Sequence, residues 1–225
     1  MENTITQNKE SLTEVVFILD RSGSMSGYED DTIGGFNSTI EKQKSEEENG
    51  KALISTVLFD NTCEVIHDRV DINEIEKLTR KEYYVRGCTA LFDAIGGAIN
   101  HIGNIHKYAR KEDVPNNTIF VIITDGMENA SREYTKGQVK DLIKRQQEKY
   151  GWEFIFLGAN IDSAETAESI GIRRERAVDY TQDAKGFDAS YKSVHCAIAG
   201  VRKCGSMDNH WRAHIDNDNR RRKKK

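Results

Sequence analysis

Three short apolar runs constrain the fold of this chain more than any other feature of its sequence. They occupy residues 15–19 (VVFIL), 119–123 (IFVII) and 152–157 (WEFIFL). Runs of this length, rich in β-branched and aromatic residues, are typical of strands buried on both faces of a sheet. Segments with helical spacing separate them, and the clearest has apolar residues at 91, 94, 95, 98, 99 and 102. This alternation predicts parallel strands with helices on both faces.

The remaining elements complete the predicted sheet. Residues 52–60 are mostly apolar and predict a second strand, and 63–70 predict its antiparallel partner at the sheet edge. Residues 177–178 predict a short last strand. Further helices are predicted at 33–48, 71–80, 136–150, 161–170 and 187–204. The fold class is therefore predicted to be α/β, a Rossmann-like three-layer doubly wound sheet, mainly parallel with one antiparallel edge strand.

Length and local composition predict one folded domain with flexible ends. The chain has 225 residues, enough for a single well-filled core. We expect residues 1–13 to be a flexible arm and 14–204 to be the domain. Residues 205–225 are rich in turn and coil formers and are predicted to be a disordered tail, ending in the basic run 220–225 (RRRKKK).

Oxygen-bearing side chains follow two of the apolar runs. Asp20, Ser22 and Ser24 come directly after the first run, and Asp125 follows the run at 119–123. Thr89 lies in a short loop before the clearest helix. Ligands bind at the carboxyl ends of the strands in open α/β sheets, so we expect these groups to meet there. Carboxylates and hydroxyls are hard oxygen donors, which suit Mg²⁺, Ca²⁺ or Mn²⁺ better than zinc.

This pattern resembles the metal-ion-dependent adhesion site of von Willebrand factor A domains. That site combines an Asp-x-Ser-x-Ser sequence, a later Thr and a Thr-Asp-Gly sequence. All positions are present here and in order, as Asp20, Ser22, Ser24, Thr89 and Asp125. The resemblance covers roughly residues 14–200, the size of one domain. The phrases GGFN at 34–37 and FLGAN at 156–160 resemble the intracellular bacterial branch of the family.

The resemblance implies a binding module rather than an enzyme. In the family, the three hydroxyls ligate one divalent cation, here expected to be Mg²⁺ (or Mn²⁺ or Ca²⁺), and the two aspartates act directly or through water. An open coordination position then takes an acidic side chain from a partner protein. No catalytic residue and no other cofactor are expected.

Other acidic residues near these positions have simpler interpretations. Asp30 and Asp31 are interpreted as charges at a helix N-terminus, and Asp93 as a first-turn charge that either favours the helix dipole or reaches toward the site. Glu128 and Asn129 are interpreted as ordinary polar loop residues rather than part of the rim of the site.

Composition favours a reducing compartment. The start, MENTITQNKE, is polar, and no apolar segment approaches the roughly 18 residues that would cross a bilayer. The four cysteines are scattered along the chain, which is typical of proteins without structural disulfides. The sequence therefore predicts a cytoplasmic protein without a membrane segment.

Two alternative functions compete with the binding module. A metal-dependent phosphohydrolase also places an Asp after its first strand. The haloacid-dehalogenase type, however, needs a second Asp two residues later as acid and base, where this chain has Ser22. Nucleic-acid binding would depend on the basic run alone. Without that run the chain has 27 basic against 37 acidic residues, a charge that repels nucleic acid and anionic membranes.

Overall fold

The structure, a computed structural model, describes residues 11–224. The predicted arm therefore lies mostly outside the described residues. The strands are β1 (Leu12–Asp20), β2 (Lys51–Phe59), β3 (Cys63–Asp71), β4 (Asn117–Thr124), β5 (Glu153–Gly158) and β6 (Ala177–Asp179). The helices are α1 (Glu29–Lys44), α2 (Leu91–Tyr108), α3 (Lys136–Tyr150), α4 (Ser163–Ser169), α5 (Ala184–Cys204) and α6 (Ala213–Arg222).

The strands form one sheet in the order β3-β2-β1-β4-β5-β6. Only β3 is antiparallel to its neighbour, and it lies at the edge. Residues of β1 point alternately to two apolar layers: Phe17 packs in the layer that contains α1 and α5, and Ile18 in the layer that contains α2 and α3. The predicted three-layer α/β fold with one antiparallel edge strand is thus confirmed, and residues 15–19 are all buried.

The prediction of a helix over residues 71–80 is wrong. The chain makes a single 3₁₀ turn at Ile72–Glu74 and then continues without helix. Ile75 and Leu78 are nevertheless buried, as their apolar character predicts. The Asn37 side chain donates to the Leu78 carbonyl (2.9 Å) and accepts from its amide (2.8 Å). These bonds satisfy the backbone groups of Leu78 from outside the segment, so a helix is not needed.

The prediction of a disordered tail is also wrong for its described residues. A 3₁₀ turn at Asn209–Arg212 leads into α6, and Trp211 and Ile215 are each only 1% exposed against the core that contains α5. One apolar pair at i and i+4 gives too weak a periodic signal among polar neighbours to predict a helix. The domain therefore extends through the described C-terminal residues instead of ending at 204.

Helix α6 covers the β6 edge of the sheet. Arg212 Nη1 donates to the Ala177 carbonyl (2.7 Å), and Asn219 Nδ2 donates to the Asp179 carbonyl (2.9 Å). Side chains thereby satisfy carbonyls that an open edge would offer to another chain. Among the described residues, no helix combines the length and apolar character needed to cross a membrane.

Candidate metal centre

The five predicted site residues converge at the carboxyl edge of the sheet. β1 and β4 are parallel neighbours with Leu19 opposite Ile123, so Asp20 and Asp125 emerge side by side. Ser22 and Ser24 follow β1 at a 3₁₀ turn (Gly23–Met25). Thr89 lies just before α2. The doubly wound topology thus brings three separate segments to one place.

Short distances connect the side chains of these segments. Ser24 Oγ lies 3.1 Å from Ser22 Oγ and donates to Asp125 Oδ1 at 2.6 Å. A Cβ placed on Gly126 would lie 3.4 Å from Thr89 Oγ1 and 3.6 Å from Ser24 Oγ, so these two hydroxyls lie close to one point. Ser24 is exposed, whereas the other four residues are buried. The site therefore has a polar floor and one side open to solvent.

Asp20 is fixed from both sides of its carboxylate. Oδ1 accepts from the Ser22 amide (2.7 Å), and Oδ2 accepts from Thr124 Oγ1 (2.6 Å). The Tyr83 hydroxyl donates to the Asp20 carbonyl. The carboxylate cannot rotate without losing a buried hydrogen bond, so it is held in one orientation.

The two carboxylates of the site are buried without a cationic partner among the described residues. Asp20 and Asp125 are 1% and 2% exposed, and their hydrogen-bond partners are neutral. Burial raises the pKa of Asp20 from 3.8 to about 6, and the Thr124 and Ser22 hydrogen bonds offset part of that effect. Buried charges are normally paired or bound to metal. The pair therefore has the electrostatics of a cation site.

The adjacent Arg21 does not neutralise the carboxylates of Asp20 and Asp125. Arg21 is fully buried, but its Nε donates to Asp60 (2.8 Å) and its Nη1 to Glu64 (2.6 Å). Its positive charge is paired with two carboxylates of the β2–β3 hairpin. The deficit of positive charge at Asp20 and Asp125 thus remains.

The donor set fits a hard divalent cation. Each hydroxyl that gives its proton to a neighbouring oxygen keeps lone pairs for a metal. Oxygen-only donors with two carboxylates suit Mg²⁺, Mn²⁺ or Ca²⁺. No cluster of three or more His, Cys, Asp or Glu residues suitable for a metal occurs in the described part of the chain, so this candidate depends on its serines and threonine.

The loop that carries Thr89 depends on a glycine. Gly87 has φ of +69°, and its carbonyl accepts from the Gly23 amide (3.0 Å). A Cβ on Gly87 would lie 2.0 Å from Asn61 Oδ1, which accepts from the Cys88 amide. Glycine alone combines this backbone conformation with the close approach.

Gly87→Ala is therefore expected to displace Thr89 and to weaken divalent-cation binding by about tenfold or more, the range for lost supporting contacts. Isothermal titration with Mn²⁺ measures the affinity. Gly97→Ala, in α2, is the control, because its added Cβ meets no atom within 4 Å. If both variants bind Mn²⁺ like wild type, the Gly87 turn does not position Thr89.

Acidic and amide residues at the rim make hydrogen bonds that hold the loops of the site together. Asp93 accepts from the amides of residues 132–134. Glu128 accepts from the Phe92 amide (2.9 Å) at the start of α2, and Asn129 accepts from the Thr89 amide (2.9 Å). The interpretation of Glu128 and Asn129 as ordinary loop polarity misses this role. Asp30 and Asp31 lie in the first turn of α1, as predicted.

One residue at the site was missed by sequence reasoning. Gln182 Nε2 donates to Asp125 Oδ2 at 2.7 Å and to the Ser24 carbonyl at 3.2 Å. It follows β6, a strand whose carboxyl end lies at the same edge of the sheet. The place of Gln182 just after a strand is the only signal in the sequence. That signal points to the site only once the order of the strands in the sheet is known.

Comparisons with known proteins identify the fold. No protein-family model and no curated protein matches the sequence. A D319A mutant of the PilB minor pilin from Streptococcus sanguinis superposes with a TM-score of 0.60 at 12% identity, over 87% of this chain and 63% of PilB. Manganese-loaded TRAP protein from Plasmodium vivax superposes with a TM-score of 0.56 at 16% identity, over 82% of this chain and 73% of TRAP. Proximal thread matrix protein 1 of the mussel byssus has a zinc-occupied metal-ion-dependent adhesion site (MIDAS) motif. It superposes with a TM-score of 0.55 at 14% identity, over 83% of this chain and 46% of the mussel protein.

The chain has the von Willebrand factor A fold. At these identities the likeness shows the fold alone. The chain spans less than two thirds of the length of PilB and of the mussel protein. The assignment to an intracellular bacterial branch stays a prediction.

Proposed function

We propose that this chain is a divalent-cation-dependent protein-binding module. The observation that carries the proposal is the pair of buried carboxylates, Asp20 and Asp125, without a cationic partner among the described residues and beside three hydroxyls. Asp20, Ser22, Ser24, Thr89 and Asp125 would hold the ion, with Mg²⁺ as the expected cation. Two similar structures support this reading, since one is manganese-loaded and the other has a zinc-occupied MIDAS motif.

The expected partner contributes a carboxylate. When bound, the cation supplies a concentrated positive charge with a position open to an exogenous oxygen. The chain itself offers only two carboxylates and three neutral hydroxyls, so an anionic ligand is favoured at that position. Ser24 is exposed, which leaves this side of the site accessible to an aspartate or glutamate of another protein.

The surroundings favour binding over catalysis. None of the histidines with described contacts bonds one of the five site residues: the partners are Thr56 for His67, Asp68 for His101, Glu14 for His106, Gln43 for His195 and Asp208 for His210. Ser22 occupies the place where a phosphohydrolase would carry its second acid. The proposal therefore includes no catalytic residue, and it places the module in the cytoplasm.

The alternative of nucleic-acid binding gains no support from the C-terminal arginines. Arg222 pairs with Asp183 (2.7 Å) and with Asp218 (2.5 Å), so part of the basic run is already neutralised within the fold.

Capture of a partner in the presence and absence of the cation tests the proposal. Wild-type chain, Thr89→Ala and Thr118→Ala are immobilised, and proteins retained with Mg²⁺ or with EDTA are compared. Thr118 is a buried threonine near the start of β4, at the opposite end of that strand from the site, and serves as the control. We expect retention by wild type and Thr118→Ala with Mg²⁺ only, and loss with Thr89→Ala.

Replacing acidic residues of the captured partner by their amides should reproduce that loss. Equal retention with EDTA would contradict a role for the cation. Hydrolysis of p-nitrophenyl phosphate that requires Asp20 would favour the enzyme instead.

A further inference from the structure

Gln182 joins three segments of the candidate metal centre. Its Nε2 donates to Asp125 Oδ2 (2.7 Å) and to the Ser24 carbonyl (3.2 Å). Its Oε1 accepts from Asn160 Nδ2 at 2.7 Å, just after β5. The side chain therefore connects the ends of β1, β4 and β5 to the segment that follows β6.

The chemistry of its neighbours fixes the orientation of the Gln182 amide. The Asp125 carboxylate and the Ser24 carbonyl can only accept hydrogen bonds. The amide nitrogen must face them, because an oxygen there would oppose two acceptors. Asn160 then donates to the remaining oxygen, and Asn160 itself has φ of +58°, a left-handed conformation that asparagine tolerates better than most residues.

The backbone on either side of Gln182 is also fixed. Asp183 is the N-cap of α5 and accepts from the Gly186 amide. Its carboxylate accepts from Nη1 and Nη2 of Arg222, in α6, at 2.7 and 2.8 Å. A Cβ on Gly186 would lie 1.8 Å from the Thr181 carbonyl, so glycine allows the close turn. Gln182 thus projects toward Asp125 from a segment clamped at both ends.

We propose that Gln182 is a positioning residue that determines which ligand the cation site selects. A neutral amide orients Asp125 without adding an anionic ligand, so the cation's open position stays available to a carboxylate from outside. A carboxylate in the place of the Gln182 amide would compete for that position from within the chain. This inference depends on the proposed cation site and adds the residue that keeps the open position available to an exogenous carboxylate.

Two substitutions with opposite expected effects test the role. Gln182→Leu removes the donor to Asp125 and should weaken Mn²⁺ binding by about tenfold, as outer-shell losses do. Gln182→Glu places a third carboxylate at the centre and should tighten Mn²⁺ binding by about tenfold. A residue needed only for folding would lower the affinity in both variants. Free Mn²⁺ is measured by electron paramagnetic resonance.

Acetate is the probe for the open position. Added to Mn²⁺-loaded wild type, it should displace bound water and lower the water proton relaxation rate. In Mn²⁺-loaded Gln182→Glu the same titration should have little effect. Gln138→Glu is the matched control, because Gln138 Oε1 accepts from Thr135 in the α3 capping box and a glutamate keeps that contact while adding the same charge.

The outcomes separate this inference from the proposed function. Absence of Mn²⁺ binding by wild type would overturn the proposed cation site and the inference with it. Wild-type binding with unchanged affinity in both Gln182 variants would overturn the inference alone. An affinity gain in Gln138→Glu as large as that in Gln182→Glu would also overturn it, by assigning the effect to net charge.

Discussion

Replacing Asp20 with Asn is expected to abolish divalent-cation binding and, in the same variant, to raise the stability of the metal-free protein near pH 8. The two effects have one cause. The Asp20 carboxylate is buried, which raises its pKa from 3.8 to about 6. A neutral amide avoids the burial of that charge, and it still offers an oxygen to the Ser22 amide, which now bonds Asp20 Oδ1.

The sign of the pH dependence follows from the direction of the shift. Between the unfolded pKa near 3.8 and the folded value of about 6, the folded chain binds more protons than the unfolded chain. The free energy of unfolding of the metal-free wild type therefore falls as pH rises through this window and stays lowered above it. A pKa difference of about two between the folded and unfolded chain lowers the free energy of unfolding by about 3 kcal/mol at most. Protons compete with the cation, so cation affinity should fall by about tenfold per pH unit below about pH 6.

Thermal melts in EDTA across about pH 4 to 8 measure the stability effect, and Mg²⁺ titrations of EDTA-free samples measure cation binding. Asp30→Asn is the control, since the Asp30 carboxylate is exposed and Arg80 lowers its pKa instead of raising it. That variant should retain cation binding. A metal-free Asp20→Asn that melts below wild type near pH 8 would show that Asp20 stabilises the fold through its charge.

Trp211→Ala is expected to destabilise the protein by about 3–5 kcal/mol, the range for deleting a large buried aromatic side chain. Trp211 is 1% exposed, packs in the core layer that contains α5, and donates through Nε1 to the Glu175 carbonyl at 3.3 Å. Its loss should also release α6 from the β6 edge, because the 3₁₀ turn that contains Trp211 leads directly into α6.

Urea unfolding monitored by circular dichroism measures the change. Tyr108→Ala is the comparison, since Tyr108 is 78% exposed at the end of α2 and should change the free energy of unfolding by only about 0.5 kcal/mol or less. A loss below about 1 kcal/mol in Trp211→Ala would mean that the C-terminal segment contributes little to stability. The sequence-based expectation of a disordered tail would then be the better description.

Local pattern alone predicts the sheet and brings four of the five candidate ligands, those that follow β1 and β4, to one edge. The runs at 15–19 and 119–123 are apolar on both faces, and only a central strand covered by two helical layers can bury them. Because parallel strands end at the same edge, Asp20 and Asp125 follow as neighbours once both strands are assigned. Thr89 is placed by the family resemblance, and the structure puts its hydroxyl and that of Ser24 within 3.6 Å of one point beside Gly126.

Tertiary contacts decide what these local patterns leave open. Apolar spacing at 72, 75 and 78 fits a helix, but Asn37 binds both backbone groups of Leu78 and holds the segment in another conformation. Trp211 is one apolar residue in a polar sequence until α5 offers it a surface. Gln182 becomes part of the site only through the strand order that places β6 beside β5. In each case the deciding contact comes from a different element of the fold, which periodicity and local propensity do not reveal.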